Sequence, residues 1–398
     1  MDKLTQSILG RKHSFLNAEL IAHKEEIQEK ASGANFLIIG AAGSIGSAFV
    51  RELVRYRPNG LHLVDISENL LVELVRDLRS SEIKLPTDFT TYSLDFGQCG
   101  MEALLKSRRF DYVLNFSALK HVRSERDAFT LMRLLEVNVL ANRRLIDWVF
   151  ENQNVNKIFS VSSDKAVRPG NMMGASKAFM ERIFQANADR VDFSSARFAN
   201  VAFSDGSLLH SFQNRLQKGQ PLSAPSDVRR FFISAQEAGQ LCVLSCFVCQ
   251  NREVVYPLFE PETDMMTFSE IARAFLAEQG MKAFECESEK EAKEMAANLD
   301  VNSKEWPCCF TLSDTSGEKS FEEFVDPREK CDLTRFTNVG VITDPILTSL
   351  DSLQNAEIQI EKLKKKRRWT LEDLKAVVQE VVPELAHISG MKNLDQKM

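Results

Sequence analysis

Apolar residues come in short bursts along this chain, separated by stretches with helical spacing. The first burst is Asn35–Ile39 (NFLII), which reads as a buried strand. The loop GAAGSIG (40–46) and a helix to about Arg57 follow it. Leu61–Val64 is the next strand, then a helix from Ser67 to about Arg79. Further strands are expected near Thr90–Leu94, Tyr112–Phe116, Lys157–Val161 and Phe193–Arg197, with helical periodicity between them. Strands alternating with helices predict an α/β fold with a parallel, doubly wound sheet covered on both faces.

The pattern divides the chain into four parts. Residues 1–33 read as one or two polar, amphipathic helices, and 34–200 as the doubly wound domain. Past Asn200 the alternation weakens, so 201–343 is expected to form a smaller substrate-binding lobe. That lobe includes DVRRFFIS (227–234), a helix around Ala235–Cys249 and a charged helical insertion near 285–305. Residues 344–398 predict closing helices, and Thr370-Leu-Glu-Asp373 has the form of a capping box.

Composition narrows the function. With 398 residues the chain can bury a sizeable core in one or two domains. Fifty Lys and Arg against 56 Asp and Glu give a net charge of −6, so no broad positive field favours nucleic acid. The basic run Lys364–Arg368 reads as a solvated face. The longest apolar stretch, Leu241–Cys249, is far short of the roughly 20 residues of a membrane span, so no membrane insertion is expected. The opening residues MDKLTQSILGRKHSF carry no apolar signal-peptide core. Eight irregularly spaced cysteines suggest free thiols and a cytoplasmic location. Cys246 and Cys249 form a CxxC pair inside an apolar run, which points to helix packing, and no metal site is expected.

The loop after the first strand gives the chain its first chemistry. Gly40 permits a tight turn, Gly43 lets the backbone approach a pyrophosphate, and Gly46 lets helix and strand pack closely. Ser44 and Ile45 complete a phosphate cradle at the helix N-terminus, the arrangement of a Rossmann-type dinucleotide site. Asp65 ends the next strand 19 residues after Gly46, placed to accept both hydroxyls of an adenosine ribose. Ile66-Ser67-Glu68 follow it without Arg or Lys, which favours NAD over NADP. Asp95 is a candidate for hydrogen bonding to adenine, or equally a helix cap.

Three segments fall where such a fold places chemistry, beyond the carboxyl ends of strands: 115–122, 162–165 and 171–177. Met173 and Lys177 are spaced i,i+4, on one helix face. With the glycine loop, the stretches SALKHV, SVSSDKAVRPGNMMGASK, ARFANVAFSDGSLLHSF and VRRFFIS make the chain resemble extended short-chain dehydrogenases/reductases. Within that superfamily they are similar to the UDP-N-acetylglucosamine 4,6-dehydratases of bacterial glycan biosynthesis, over about residues 35–275. Most of the superfamily has Tyr where this chain has Met173, and a thioether cannot exchange a proton. A branch of the dehydratases shares the Met.

The resemblance implies a hydro-lyase reaction. The sugar is oxidised at C4, water is lost across C5 and C6, and C6 is reduced, so that NAD is regenerated. It further implies that Asp164 protonates the leaving hydroxyl and Lys165 removes the C5 proton, with C5 configuration retained. Lys165 must be neutral to do so, a form that burial, the nicotinamide cation and Lys120 favour. With Met173 silent, Ser163 is the candidate for holding the sugar 4-oxygen. Lys177 would bind the nicotinamide ribose, with Ser117 and Ala118 nearby, and Asn138 would support the site. Lys120, His121, Asn200 and Arg230 would face the UDP-sugar, Arg229 being the rival for Arg230. A homo-oligomer joined through helices flanking the sheet is expected. A nucleotide-sugar epimerase or dehydrogenase, or an inactive NAD-binding scaffold, are the alternatives.

Overall fold

The computed structural model describes residues 3–152, 155–300, 303–313, 321 and 323–386. Its first six strands are β1 (Asn35–Ile39), β2 (Gly60–Asp65), β3 (Asp88–Ser93), β4 (Tyr112–Asn115), β5 (Lys157–Ser163) and β6 (Phe193–Phe198). They pair in parallel in the order β3-β2-β1-β4-β5-β6, with every expected strand present within two residues at each end. The order reverses between β1 and β4, and the crevice at that switch point is where such sheets bind ligands.

Strand alternation sorts the core into two layers. Phe36 and Ile38 of β1 face one side, Leu37 and Ile39 the other. The N-terminal segment carries α1 (Lys3–Leu9), α2 (Asn17–Ala22) and α3 (Lys24–Ala31). Next come α4 (Ser44–Leu53), α5 (Glu68–Ser80), α6 (Cys99–Ser107), α7 (Ala128–Leu135), α8 (Ala141–Asn152) and α9 (Met172–Ala186). A π-helical turn, Glu136–Leu140, joins α7 to α8. Helix α9 is buried along nearly its whole length beneath the sheet.

Beyond β6 the chain departs from a simple lobe. It adds β7 (Asn200–Val201), α10 (Leu208–Gln217), β8 (Leu222–Pro225), β9 (Arg229–Ile233), α11 (Ala235–Phe247) and β10 (Val254–Pro257). Then follow α12 (Pro261–Asp264), β11 (Met265–Thr267), α13 (Phe268–Glu278), β12 (Lys282–Glu285), α14 (Glu289–Ala297) and β13 (Glu305–Thr311). The last elements are β14 (Lys330–Asp332), β15 (Val339–Asp344), α15 (Leu350–Lys366) and α16 (Leu371–Val381). Strands β10, β15 and β14 extend the main sheet to nine, the last two antiparallel, and α11 packs on α4. Assigning all of 201–343 to a separate lobe therefore needs correction, because these segments complete the main sheet. Among the described residues, the sheet β12-β13-β8 packs with α10 and α13 in a smaller core, while β11-β9-β7 bridges the two, Phe231 and Ile233 facing the main core and Phe232 the smaller one.

Two other expectations change. Residues 285–305 do not form one helical insertion: α14 spans only 289–297 between two paired strands, with Ala292 buried beneath it, and residues 301–302 lie outside the described residues. Nor are residues 1–33 a separate unit. Leu16, Leu20 and Ile27 join the main core while Ile8 and Leu9 join the smaller one. Arg11 pairs with the buried Glu237 at 3.0 Å and donates to the Phe232 carbonyl, tying this segment to the start of α11. The closing helices are present, with the capping box at Thr370 formed, and residues 387–398 lie outside the described residues. No helix among the described residues is long and apolar enough to cross a membrane.

Candidate active site

A cleft of about 380 Å³ opens at the carboxyl ends of β1, β4 and β5. Its phosphate-loop wall is Gly40, Gly43, Ser44, Ile45 and Gly46, at the start of α4. A methyl group on Gly46 would lie 2.2 Å from the Gly40 carbonyl oxygen, so only glycine lets the helix enter so close to the strand. Asp65 braces this loop from behind. Its carboxylate accepts the Ala42 N–H at 3.1 Å and the Ser67 N–H at 3.0 Å.

The opposite wall carries the candidate catalytic side chains. At the end of β5, Asp164 is buried, and its Oδ1 accepts the Ser163 hydroxyl at 2.7 Å, the Lys165 N–H at 2.8 Å and Lys165 Nζ at 3.1 Å. Lys165 Nζ also donates to Asn200 Oδ1 at 3.3 Å. Ser163, Asp164, Lys165 and Asn200 thus touch one another and line the cleft together. The turn that presents them leans on α9. A methyl group on Gly174 would sit 2.3 Å from the Lys165 carbonyl oxygen, so the helix start is packed directly under the Asp–Lys pair. Asn171 caps that helix by accepting the Gly174 N–H.

Met173 and Lys177 line the cleft from α9, stacked as their spacing requires. Met173 is 3% exposed, an apolar wall where a proton-exchanging group is absent. Lys177 is buried and donates to the Val161 carbonyl at 3.1 Å. Burial lowers its ammonium from the ordinary 10.5 to about 8, only partly offset by Glu181 one turn on. Between about pH 8 and 10.5 the unfolded chain therefore binds more protons than the native one, so this lysine's contribution to stability rises with pH there. The unfolding free energy of the wild type minus that of Lys177→Met should climb from pH 8 to 10. A flat difference would mean that the ammonium is solvated.

The remaining candidates divide. Ala118 and Lys120 line the cleft, and burial by its walls lowers the Lys120 ammonium against an opposing pull from Asp205. Ser117 sits behind the glycine loop, its N–H donating to Asn115 Oδ1. His121 does not line the cleft. Its ring backs onto Gly206, and burial, with Lys120 and Arg123, lowers its basicity. Asp95 does not line the cleft either: it holds the Gly97 N–H at 2.9 Å and Arg133 at 3.3 Å, and Gln98, not Asp95, stands at the N-cap position of α6, without a side-chain bond to it. Arg230, rather than the exposed Arg229, points inward on β9, but it lies outside the cleft lining and donates to the Arg229 carbonyl.

Supporting groups surround the cleft: Asn138, which the sequence singled out, and Glu125 and Arg197, which it did not. Asn138, buried on the π-helical turn, clamps both the N–H and the carbonyl of Leu119 and donates to Ser176 Oγ. It thereby locks the 117–121 connection to α9. Glu125 accepts the Met173 N–H at 3.1 Å, its carboxyl pushed up by burial against the pull of the Met172 and Met173 N–H groups. Arg197 bonds Glu181 and Glu329 through paired contacts of 2.7–3.0 Å, joining α9 to the 324–329 segment. Among the described residues no cluster of His, Cys, Asp or Glu could hold a metal ion.

Known proteins share this layout. An uncharacterised membrane protein of Methanocaldococcus jannaschii is 31% identical over 239 residues, 58% of this chain and 68% of that one. A UDP-N-acetylglucosamine 4,6-dehydratase (inverting) of Campylobacter jejuni is 27% identical over 61% of this chain and 71% of its own. The chain spans less than half the length of two other curated relatives. Pen from Bacillus thuringiensis, a solved structure, superposes with a TM-score of 0.64 at 18% identity, covering 83% of this chain and 98% of that one. Residues 36–343, most of the sheet and every cleft-lining side chain described above, match one family along their whole length: the chain belongs to the polysaccharide biosynthesis protein family.

Proposed function

We propose that the chain is an NAD-dependent hydro-lyase that converts UDP-N-acetylglucosamine to a UDP-4-keto-6-deoxy-N-acetylhexosamine for surface-glycan synthesis, retaining configuration at C5. The observation that carries this reading is the Asp164–Lys165 pair, which faces a cleft shared with a glycine phosphate loop and a buried lysine. An epimerase on this scaffold has no use for an acid and a base so close together.

The residues fit NAD. The helix start at Ser44 offers N–H groups to a pyrophosphate, and Asp65 stands beyond the loop for the adenosine ribose. Ser162 Oγ, buried in the cleft wall, has no hydrogen-bond partner among the described residues, as expected of a group awaiting a ligand. When bound, NAD supplies the hydride acceptor and donor for the sugar's C4 and C6.

The protein's share is positioning and protons. The elimination needs Asp164 as the carboxylic acid and Lys165 as the free amine, side by side across their 3.1 Å contact. Nζ then takes the C5 proton, the C5 electrons form the new double bond, and the C6–O bond breaks as the acid protonates the departing oxygen. Ser163, hydrogen-bonded to Asp164 Oδ1 at 2.7 Å, holds the 4-oxygen in place of the group that Met173 cannot supply and passes the proton released there to Asp164, which later gives it to the departing C6 oxygen. Asn200 and Lys120 face the sugar diphosphate, with Arg230 deeper in the lobe. We place the reaction in the cytoplasm, which suits the free thiols.

Incubation with a panel of UDP- and dTDP-sugars, read by mass spectrometry, tests the reading: loss of one water from UDP-N-acetylglucosamine is expected. An isomer of unchanged mass would identify an epimerase, and binding without conversion a scaffold. Asp65→Ala should weaken NAD by about 1–3 kcal/mol, the worth of hydrogen bonds to a charged acceptor, measured by calorimetric titration. An unchanged affinity would remove Asp65 from the ribose site.

A further inference from the structure

Beside the phosphate loop, the cleft wall is completed by a turn from the smaller lobe, residues 201–207. Ser44, the first residue of α4, donates its hydroxyl to Asp205 Oδ2 at 3.0 Å, and Ser44 Oγ accepts the Asp205 N–H at 2.9 Å. This reciprocal pair bridges the dinucleotide domain and the smaller lobe. It separates the cleft from a second cavity of about 460 Å³, to which Ser44, Ser204 and Asp205 also contribute.

The turn is built to hold Asp205 where it is. Ser204 N–H bonds the Val201 carbonyl, and Ser207 N–H bonds the Ser204 carbonyl. Gly206 takes a positive φ of +70° and donates to His210 Nδ1 at 3.3 Å. A methyl group on Gly206 would meet His121 Cε1 at 2.9 Å, so the imidazole walls the turn from behind. His210 Nδ1 lies 3.9 Å from Asp205 Oδ1. An aspartate is an unexpected neighbour for a phosphate cradle, since its charge opposes that of a pyrophosphate. Its placement makes sense if its work is done through Ser44, with Lys120 balancing the charge across the cleft.

We infer that Ser44 and Asp205 form a clasp that slows the escape of the dinucleotide by tying the two lobes together over its pyrophosphate. This rests on the dehydratase reading, and it meets a demand of that chemistry. A cofactor that is reduced and reoxidised within one turnover has to stay bound between the two steps, because its loss would strand the sugar as a ketone. A bridge spanning the cleft mouth retains it without adding any contact at the reacting carbons.

The test is the dissociation rate of NAD+ from the full-length protein, followed by stopped-flow fluorescence with excess competing nucleotide. Asp205→Ala and Ser44→Ala should each speed release by about 3- to 10-fold, the worth of a hydrogen bond or two. The double variant should be no faster than the quicker single one, because both changes open the same bridge. Asp205→Asn, which keeps an acceptor and the backbone N–H, should stay near the wild-type rate, and unchanged melting temperatures in all four variants would establish that each is folded. Release rates that do not move, or slower release in Asp205→Ala, would overturn the clasp and leave Asp205 as mere repulsion. If the wild type itself fails to bind NAD+, the dinucleotide reading falls and takes the clasp with it.

Discussion

Asp164→Asn is expected to lower the dehydration rate by about 10²- to 10⁴-fold, the range lost when a positioned proton donor is removed. The carboxamide keeps the size of the side chain and can still accept from Ser163 and Lys165, so the turn under α9 survives. It cannot deliver a proton to the departing hydroxyl. Nor can it take up the proton that oxidation releases from the 4-hydroxyl. The variant should retain NAD affinity while losing the water-loss product in the mass spectrum. Undiminished turnover would move the acid elsewhere and undo the elimination assigned to this pair.

The largest expected effect on stability comes from Arg197→Leu. The guanidinium is 3% exposed, donates to both oxygens of Glu181 and both of Glu329, and reaches the Phe324 carbonyl at 2.8 Å. Removing it leaves two carboxylates buried without their cation, which should cost about 3–5 kcal/mol in chemical denaturation. Replacing Glu181 and Glu329 by leucine as well should recover much of the loss, since an apolar triad of similar volume needs no counter-charge. If the single and triple variants were equally unstable, packing rather than charge would explain Arg197.

Strands β1, β2, β4 and β5 were legible because each carries an apolar run buried on both faces of a parallel sheet, whereas the edge strand β3 (DFTTYS) and β6 (FSSARF) show mainly as short aromatic- and Thr/Ser-bearing stretches between helices. That Ser163, Asp164, Lys165, Met173 and Lys177 share one cleft was equally legible, since they lie within one strand–turn–helix unit. What escaped the sequence was carried by distant partners. Glu181 and Glu329 are joined only through Arg197, 132 residues from the latter. Asp205 meets Ser44 across 161 residues, and neither residue type at either place announces the other. Strands β14 and β10 are three and four residues long, too short to show a period. The charged stretch near 285–305 misled because its acidic residues mark a solvated surface whether the backbone beneath is helix or strand. His121 looked like a ligand-facing imidazole because it follows a strand end, yet the neighbouring turn claims its ring.

Helices α15 and α16 have a bearing on how copies of this chain could meet. They lie against α7 and α9, with Leu353, Ile360, Leu374 and Val378 buried there. Arg143 and Arg144 of α8 face Glu357 and Glu361, and Lys364 reaches Glu136. Trp369 is pinned to the Ala128 carbonyl. A sister molecule approaching those flanking helices would find the berth already taken by the chain's own tail. A second copy arriving on this side would meet α15 and α16 before it met α7 or α9.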